Sequence, residues 1–450
     1  MTGPPHRQAF GHLLVNTFIA NLTTSFLWFA LTFWIYLETR SVLATSLLGG
    51  SYMLLLAVMG VPFGGLVDRW RKKSVMVGAQ VVTAVAFALG LAAFLLLPRA
   101  EVLTVGSPAF WLVAGLVLAG AVVESARGIA LSATVTLLVP AADRARANGQ
   151  VGIVNGLSFA VTSVFSGLAV GQLGMDATFL IAVGLTVASL AHLWFVRLPE
   201  AQVLHADGVP KPVDFAGAWR AIVVVPGLIG LIAFSTLNNL LGGVFIAIMD
   251  PYGLNLVSVE AWGVLWGVAS FGFLVGGALV ARFGLGRNPL RALLLANVAM
   301  WTIGVLFTIR ESIVLTMAGI VLWMALMPVA EAAEQTVLQR VVPYEKQGRV
   351  FGLAQAVEVA ASPVSAFLVG PLAHFVIVPW MASADGRDRL GWLLGDGVAR
   401  GLALVFVLVS LVGLAVTLAA MASRPYRTLS TSYASAAAAP ARATQPGTSP

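Results

Sequence analysis

Five ionisable residues sit deep inside otherwise apolar stretches of this sequence: Glu124, Arg127, Glu331, Glu334 and Glu358. A charge at the centre of a bilayer costs at least about 2.5–3.5 kcal/mol, so such groups persist where they are paired, wet or functional. Glu124 and Arg127 are three residues apart and share one helix face. The arginine favours the carboxylate and desolvation opposes it, a balance suited to taking up and releasing a proton. A static ion pair holding the helix in place is the plainer alternative. Glu331 and Glu334 repeat the spacing with two acids. Two carboxylates on one dry face are not both ionised, so one keeps a proton and is placed to carry it. The alternatives are pairing with Arg127 or Arg340, or a water-filled cavity. Glu358 either joins this group or hydrogen-bonds a neighbouring helix.

Amides fall in the same apolar stretches: Asn21, Asn155, Asn238, Asn239, Gln335 and Gln355. They suit a cavity lining or hydrogen bonds between helices. Trp28, Phe29, Phe33 and Trp34 either stack on a planar ligand or anchor at the membrane interface. No G-x-x-x-x-G-K-[ST] run is present, which argues against direct drive by ATP. The chain has no cysteine, and its five histidines lack metal-ligand spacing. No metal or cofactor is expected, and without a metal or nucleophile constellation the paired carboxylates do not make an enzyme.

The elements that must position these residues follow from composition. The 450 residues are 59% hydrophobic and only 10% charged, against about 25% charged in a soluble domain. Hydrocarbon must therefore surround most of the chain. A helix crosses it in about 20 residues. Apolar stretches between charged or Pro/Gly breaks predict twelve spans: 12–37, 43–66, 74–97, 109–139, 149–171, 178–196, 221–249, 258–281, 290–309, 313–341, 349–378 and 399–421. Glu124 and Arg127 make 109–139 polar enough for a broken helix. The first run is too long for a signal-peptide core of about 7–15 residues and stays as a span.

With the N-terminus in the cytoplasm, nineteen Lys and Arg fall in cytoplasmic segments, six in outer segments and Arg127 within a span. This bias predicts a plasma-membrane protein with both termini cytoplasmic. The net charge of +7 is scattered over short loops, unlike a nucleic-acid-binding surface. The expected organisation is a six-helix bundle over 1–196, a cytoplasmic linker over 197–220 with Pro199, Pro210 and Pro212, a second bundle over 221–421, and a disordered cytoplasmic tail over 422–450.

The bundles echo each other. Gly64-Gly65-Leu66-Val67-Asp68-Arg69-Trp70 recurs as Gly277-Ala278-Leu279-Val280-Ala281-Arg282-Phe283, with Ala281 in place of Asp68. Val139-Pro140, Gly149 and Gly171 recur as Val342-Pro343, Gly348 and Gly370. Parallel six-helix repeats with a binding site between them near the midplane form a transporter architecture.

The segment Gly64 to Lys73 resembles the G-x-L-a-D-R-x-G-R-K signature of the major facilitator superfamily through Gly64, Leu66, Asp68, Arg69, Lys72 and Lys73. Arg71 stands where the family has glycine or serine. The resemblance implies an all-α membrane fold of twelve transmembrane helices in two pseudo-symmetric six-helix bundles. Asp68 and Arg69 are then expected to act as a gate, by pairing with an arginine or capping a helix N-terminus, and Lys72 and Lys73 as anchors on anionic headgroups. Within the superfamily the chain is similar to drug:proton antiporters, most of all bacterial tetracycline and macrolide efflux proteins. That likeness rests on Asn21-Leu22-Thr23-Thr24, Glu331-Ala332-Ala333-Glu334-Gln335 and Gln347-Gly348-Arg349-Val350-Phe351-Gly352. Of the fifth-helix antiporter signature only Gly167 is kept, and of the fourth-helix R-x-x-Q-G only Arg127. In this superfamily the first and seventh helices face the cavity, which places Asn21, Asn238 and Asn239 there. The implied function is proton-coupled export of a small amphipathic molecule by a monomer that alternates its access. Proton-coupled import of a small metabolite on the same fold is the other reading.

Overall fold

The computed structural model describes residues 4–39, 42–200, 214–257, 259–394 and 398–438. Among these, twelve long helices follow one another: α1 (Pro4–Thr39), α2 (Val42–Arg69), α3 (Lys72–Leu96), α4 (Pro108–Leu138), α5 (Arg144–Leu168), α6 (Gly174–Phe195), α7 (Leu228–Leu254), α8 (Val259–Phe283), α9 (Pro289–Leu306), α10 (Ile313–Val341), α11 (Gln347–Leu372) and α12 (Val398–Ala422). Ten described segments are apolar and long enough to cross a membrane. One of them, Arg144–Phe195, runs for 52 residues through α5 and α6. With that run taken as two crossings and α11 added, the helices are compatible with twelve spans.

Local chemistry sets the helix ends. Ser107, Asn288 and Ser312 cap α4, α9 and α10 by accepting backbone N–H bonds, which satisfies donors a helix start leaves open. Gly227 takes φ +85° between the short helix Phe215–Val224 and α7. The predicted span 221–249 is therefore divided, and the crossing starts at Leu228. No polar loop separates the fifth and sixth spans, which join through a π turn at Ala169–Leu173. Helix α4 runs unbroken past Glu124 and Arg127, so the broken-helix expectation fails: the two side chains satisfy each other and leave the backbone ladder intact.

Helices α1 to α6 pack among themselves, as do α7 to α12, and the two groups meet chiefly as α2 against α11 and α5 against α8. These seams follow the duplicated motifs. A Cβ on Gly64 would sit 3.0 Å from the Arg349 Cα, and one on Gly277 would sit 3.1 Å from the Gly149 carbonyl oxygen. Backbones this close admit only glycine at the crossing.

The expected disordered tail is corrected in part. Arg424–Ala438 forms a further helix, α13, because Leu429 and Tyr433 bury themselves against the second group and Arg340 lies 4.8 Å over the Tyr433 ring. Residues 439–450 and the linker segment 201–213, with Pro210 and Pro212, lie outside the described residues.

Candidate functional site

A cavity of about 350 Å³ lies between the two groups of helices. Its chemistry comes mainly from the second group. Glu331, Glu334 and Gln335 project from α10, Glu358 from α11, and Asn238 and Asn239 from α7. The i, i+3, i+4 spacing on α10 puts its three polar residues on one face. Ser235 donates to Glu334 Oε1 at 2.7 Å. Glu334 and Glu358 line the same cavity from two helices, and Glu358 Oε1 is buried there with no hydrogen-bond partner among the described residues. Glu331 is exposed toward the cavity. Asn238 is held by Trp301, whose indole N–H donates to its Oδ1 at 3.0 Å. Asn239 donates to the Ser235 carbonyl at 3.0 Å.

The first group offers a different arrangement. Arg127 is 2% exposed and pairs with Glu124 through its Nε. Its other nitrogens donate to Thr17 at 3.1 Å and to Asn21 at 2.9 Å. Asn21 in turn donates to Asn155 at 2.9 Å, and Asn155 lines the cavity. Glu124 and Arg127 thus lie behind the cavity wall rather than on it. Trp28 is stacked on Tyr52 at 4.9 Å, and of the residues expected at the cavity Asn21, Trp28 and Gln355 do not line it, Asn21 being held behind the wall by Arg127 and Asn155.

Hydrogen bonds between the groups cluster at the end that carries the basic loops. Asp68 accepts from the backbone N–H of Gly348 at 2.6 Å and of Arg349 at 2.9 Å, both in the first turn of α11, and from Arg349 Nε at 2.9 Å. Arg349 also donates to Asp214 at 3.1 Å. A carboxylate at a helix N-terminus with a bonded guanidinium is a strong, charge-assisted contact. Arg69, expected to share the gate, is exposed and does not join this latch. Lys72, expected at the headgroups, is 2% exposed: its backbone N–H donates to Glu200 at 2.7 Å and its ammonium lies 4.7 Å over the Tyr344 ring. The headgroup expectation fails for Lys72 because Glu200, at the start of the linker, supplies a buried counter-charge. Tyr344 donates to the same Glu200 at 3.4 Å. Burial first, and Glu200 second, push its hydroxyl well above the usual tyrosine range, which keeps it a donor. Lys73 donates to the Trp194 carbonyl at 2.9 Å.

Beneath the cavity an uncharged set of hydrogen bonds also joins the two groups. Asn148 of α5 donates to Thr336 and to Gln339 of α10, both at 3.0 Å, and Gln339 donates to the Ser132 carbonyl at 3.0 Å. Asn148, Gln339, Glu200, Asp214 and Tyr344 were not singled out from the sequence. The one hint available was that Asn148 and Gln347 precede the duplicated Gly149 and Gly348.

The profile of the Major Facilitator Superfamily matches residues 13–366. The macrolide efflux protein A of Streptococcus pyogenes is 25% identical over 402 residues, covering 84% of this chain and 90% of that protein. The enterobactin exporter of Shigella flexneri is 24% identical over 85% of this chain and 89% of its own length. Among solved structures, a human organic anion transporter superposes with a TM-score of 0.69 at 13% identity, over 92% of this chain and all of that one. An outward-facing bacterial homologue of the iron transporter ferroportin gives 0.66 at 14% identity, with 92% and 100% covered.

Proposed function

The chain belongs to the major facilitator superfamily, and on that premise we propose that it is a proton-coupled secondary exporter of small amphipathic compounds, tetracycline- or macrolide-type drugs among them. The observation that carries this reading is that the Glu334 and Glu358 carboxyls, from two different helices, face one cavity between the two groups of helices. A proton added to the pair removes one negative charge, and its loss restores that charge in a low-dielectric site, a state the protein relieves by changing conformation. The positive-inside rule places the basic end in the cytoplasm, with both termini on that side of the plasma membrane. With the Asp68 latch and the Asn148–Gln339 clasp made, the cytoplasmic end is closed. This is the state in which cargo leaves and a proton enters. Breaking both contacts opens the cavity to the cytoplasm for loading, by rocking of one bundle against the other. Relatives named for macrolide efflux and enterobactin export support the outward direction.

Efflux of a fluorescent drug or of tetracycline from cells, with and without a protonophore, tests the reading. Wild type is expected to pump only while the proton gradient stands, and Glu334→Gln and Glu358→Gln to lose pumping. Export that survives the protonophore, or accumulation of solute on overexpression, would overturn it.

A further inference from the structure

We infer that the second group of helices binds a small monovalent anion, chloride or one of its size, on the buried guanidinium of Arg400, at the end of the molecule opposite the basic loops. Arg400 does not line the central cavity, and the inference is independent of what the protein transports. Six charged residues are buried among the described ones: Asp68, Lys72, Glu124, Arg127, Glu200 and Arg400. Five of them have a charged partner: Lys72 pairs with Glu200, Arg127 with Glu124, and Asp68 with Arg349. Arg400 stands apart. It is fully buried in the first turn of α12, and one of its nitrogens donates to the Thr308 carbonyl. Its Nε and Nη1 have no hydrogen-bond partner among the described residues. A guanidinium does not shed its proton in a protein, so burial leaves it charged.

The surroundings add donors and no counter-charge. Tyr252, near the end of α7, and Thr316, in the first turn of α10, are fully buried, and neither hydroxyl has a hydrogen-bond partner among the described residues. Tyr252 lies within the field of Arg400 and beside Thr316, and its ring packs 5.6 Å from that of Phe406 on α12. Phe307, Leu402 and Phe406 join Tyr252 in one apolar cluster. Glu311, the carboxylate of the turn between α9 and α10, is exposed and forms no bond to Arg400. Asp396, four residues before Arg400 in the chain, lies outside the described residues. Buried donors are bonded as a rule, and a buried cation is costly until an anion joins it. Water would serve the donors but leave the charge. One guanidinium balances one negative charge, which favours a monovalent anion over sulfate or phosphate. Full burial beside aromatic rings favours a small anion that is readily dehydrated. Held by Arg400, Tyr252 and Thr316, it ties together the ends of α7, α10 and α12.

Binding of radiolabelled chloride to the purified full-length protein in detergent tests this, with gluconate replacing chloride at constant ionic strength. Saturable binding is expected, displaced by bromide and nitrate but not by gluconate or sulfate. Chloride should also raise the melting temperature by several degrees over gluconate, because a ligand held by the folded state stabilises it. Arg400→Gln should weaken binding tenfold or more and abolish the chloride-dependent rise. Should that variant fail to fold, Tyr252→Phe decides, since it keeps the ring and removes only the hydroxyl; binding several-fold weaker than wild type is expected. No saturable binding by the wild type, or binding unaltered in Arg400→Gln or in Tyr252→Phe, would overturn the inference. So would a melting temperature indifferent to chloride in the wild type but responsive in Asp396→Asn or Glu311→Gln, which marks a carboxylate of this chain as the counter-ion.

Discussion

The two groups of helices bring opposite chemistry to one cavity. In the first, Glu124 has its counter-ion three residues away, and Arg127 spends its remaining donors on Thr17 and Asn21. In the second, Glu331, Glu334 and Glu358 stand without a basic partner on the cavity wall. A charge-balanced pair loses stability when its protonation changes, so in the proposed mechanism it is a fixed post. Unbalanced carboxyls change their net charge more readily, so in the proposed mechanism they are the moving part. The seams differ in the same way. At α2 against α11 the duplicated motif ends in Asp68, whose bonds to α11 are charge-assisted and breakable. At α5 against α8 its counterpart is Ala281, and the contact is close-packed backbone.

The comparison is broken most directly by neutralising one acid on each side. Glu334→Gln is expected to cut gradient-driven efflux at least tenfold and Glu124→Gln less than threefold, at matched expression. Equal losses would erase the distinction. Next, Arg127→Gln leaves Glu124 buried and unpaired, which should cost about 3–5 kcal/mol of stability. The fall in melting temperature in detergent measures it, and Glu124→Gln added to Arg127→Gln should recover most of the loss if the pair acts as a unit.

The seams come next. Asp68→Asn removes the charge from its bonds to Gly348 and Arg349, an effect of about 1.5–3 kcal/mol that favours opening of the basic end. Because the native chain has no cysteine, Ser132→Cys is a clean reporter there. Its labelling from the cytoplasmic side should rise several-fold in the Asp68→Asn background and stay level if the latch is idle. The smallest effect is expected in the dry seam. Gly277→Ala puts a methyl 2.7 Å from the Ile153 backbone nitrogen, whereas Gly78 has open space around it. Gly277→Ala should slow turnover a few-fold and Gly78→Ala should leave it unchanged.

Much of this molecule is determined along the chain. Long apolar runs, their charged breaks, the duplicated glycine motifs and the rare intramembrane carboxyls are properties of neighbouring residues, so Glu331, Glu334, Glu358 and Asp68 are conspicuous without coordinates. The partners are not conspicuous. Asp68 meets Arg349 across 281 residues and Asn148 meets Gln339 across 191, and no local pattern encodes such pairings. Lys72 reads as a headgroup anchor until Glu200 is seen beside it, and the tail from Arg424 reads as disordered until a groove for Leu429 and Tyr433 exists. Hydropathy is a property of each segment, so sequence alone located the apolar segments, although the break at Gly227 that starts the seventh at Leu228 needed the structure. Counter-charge and burial belong to pairs of segments, so only the tertiary structure decided which acids stand neutralised and which stand open to the cavity.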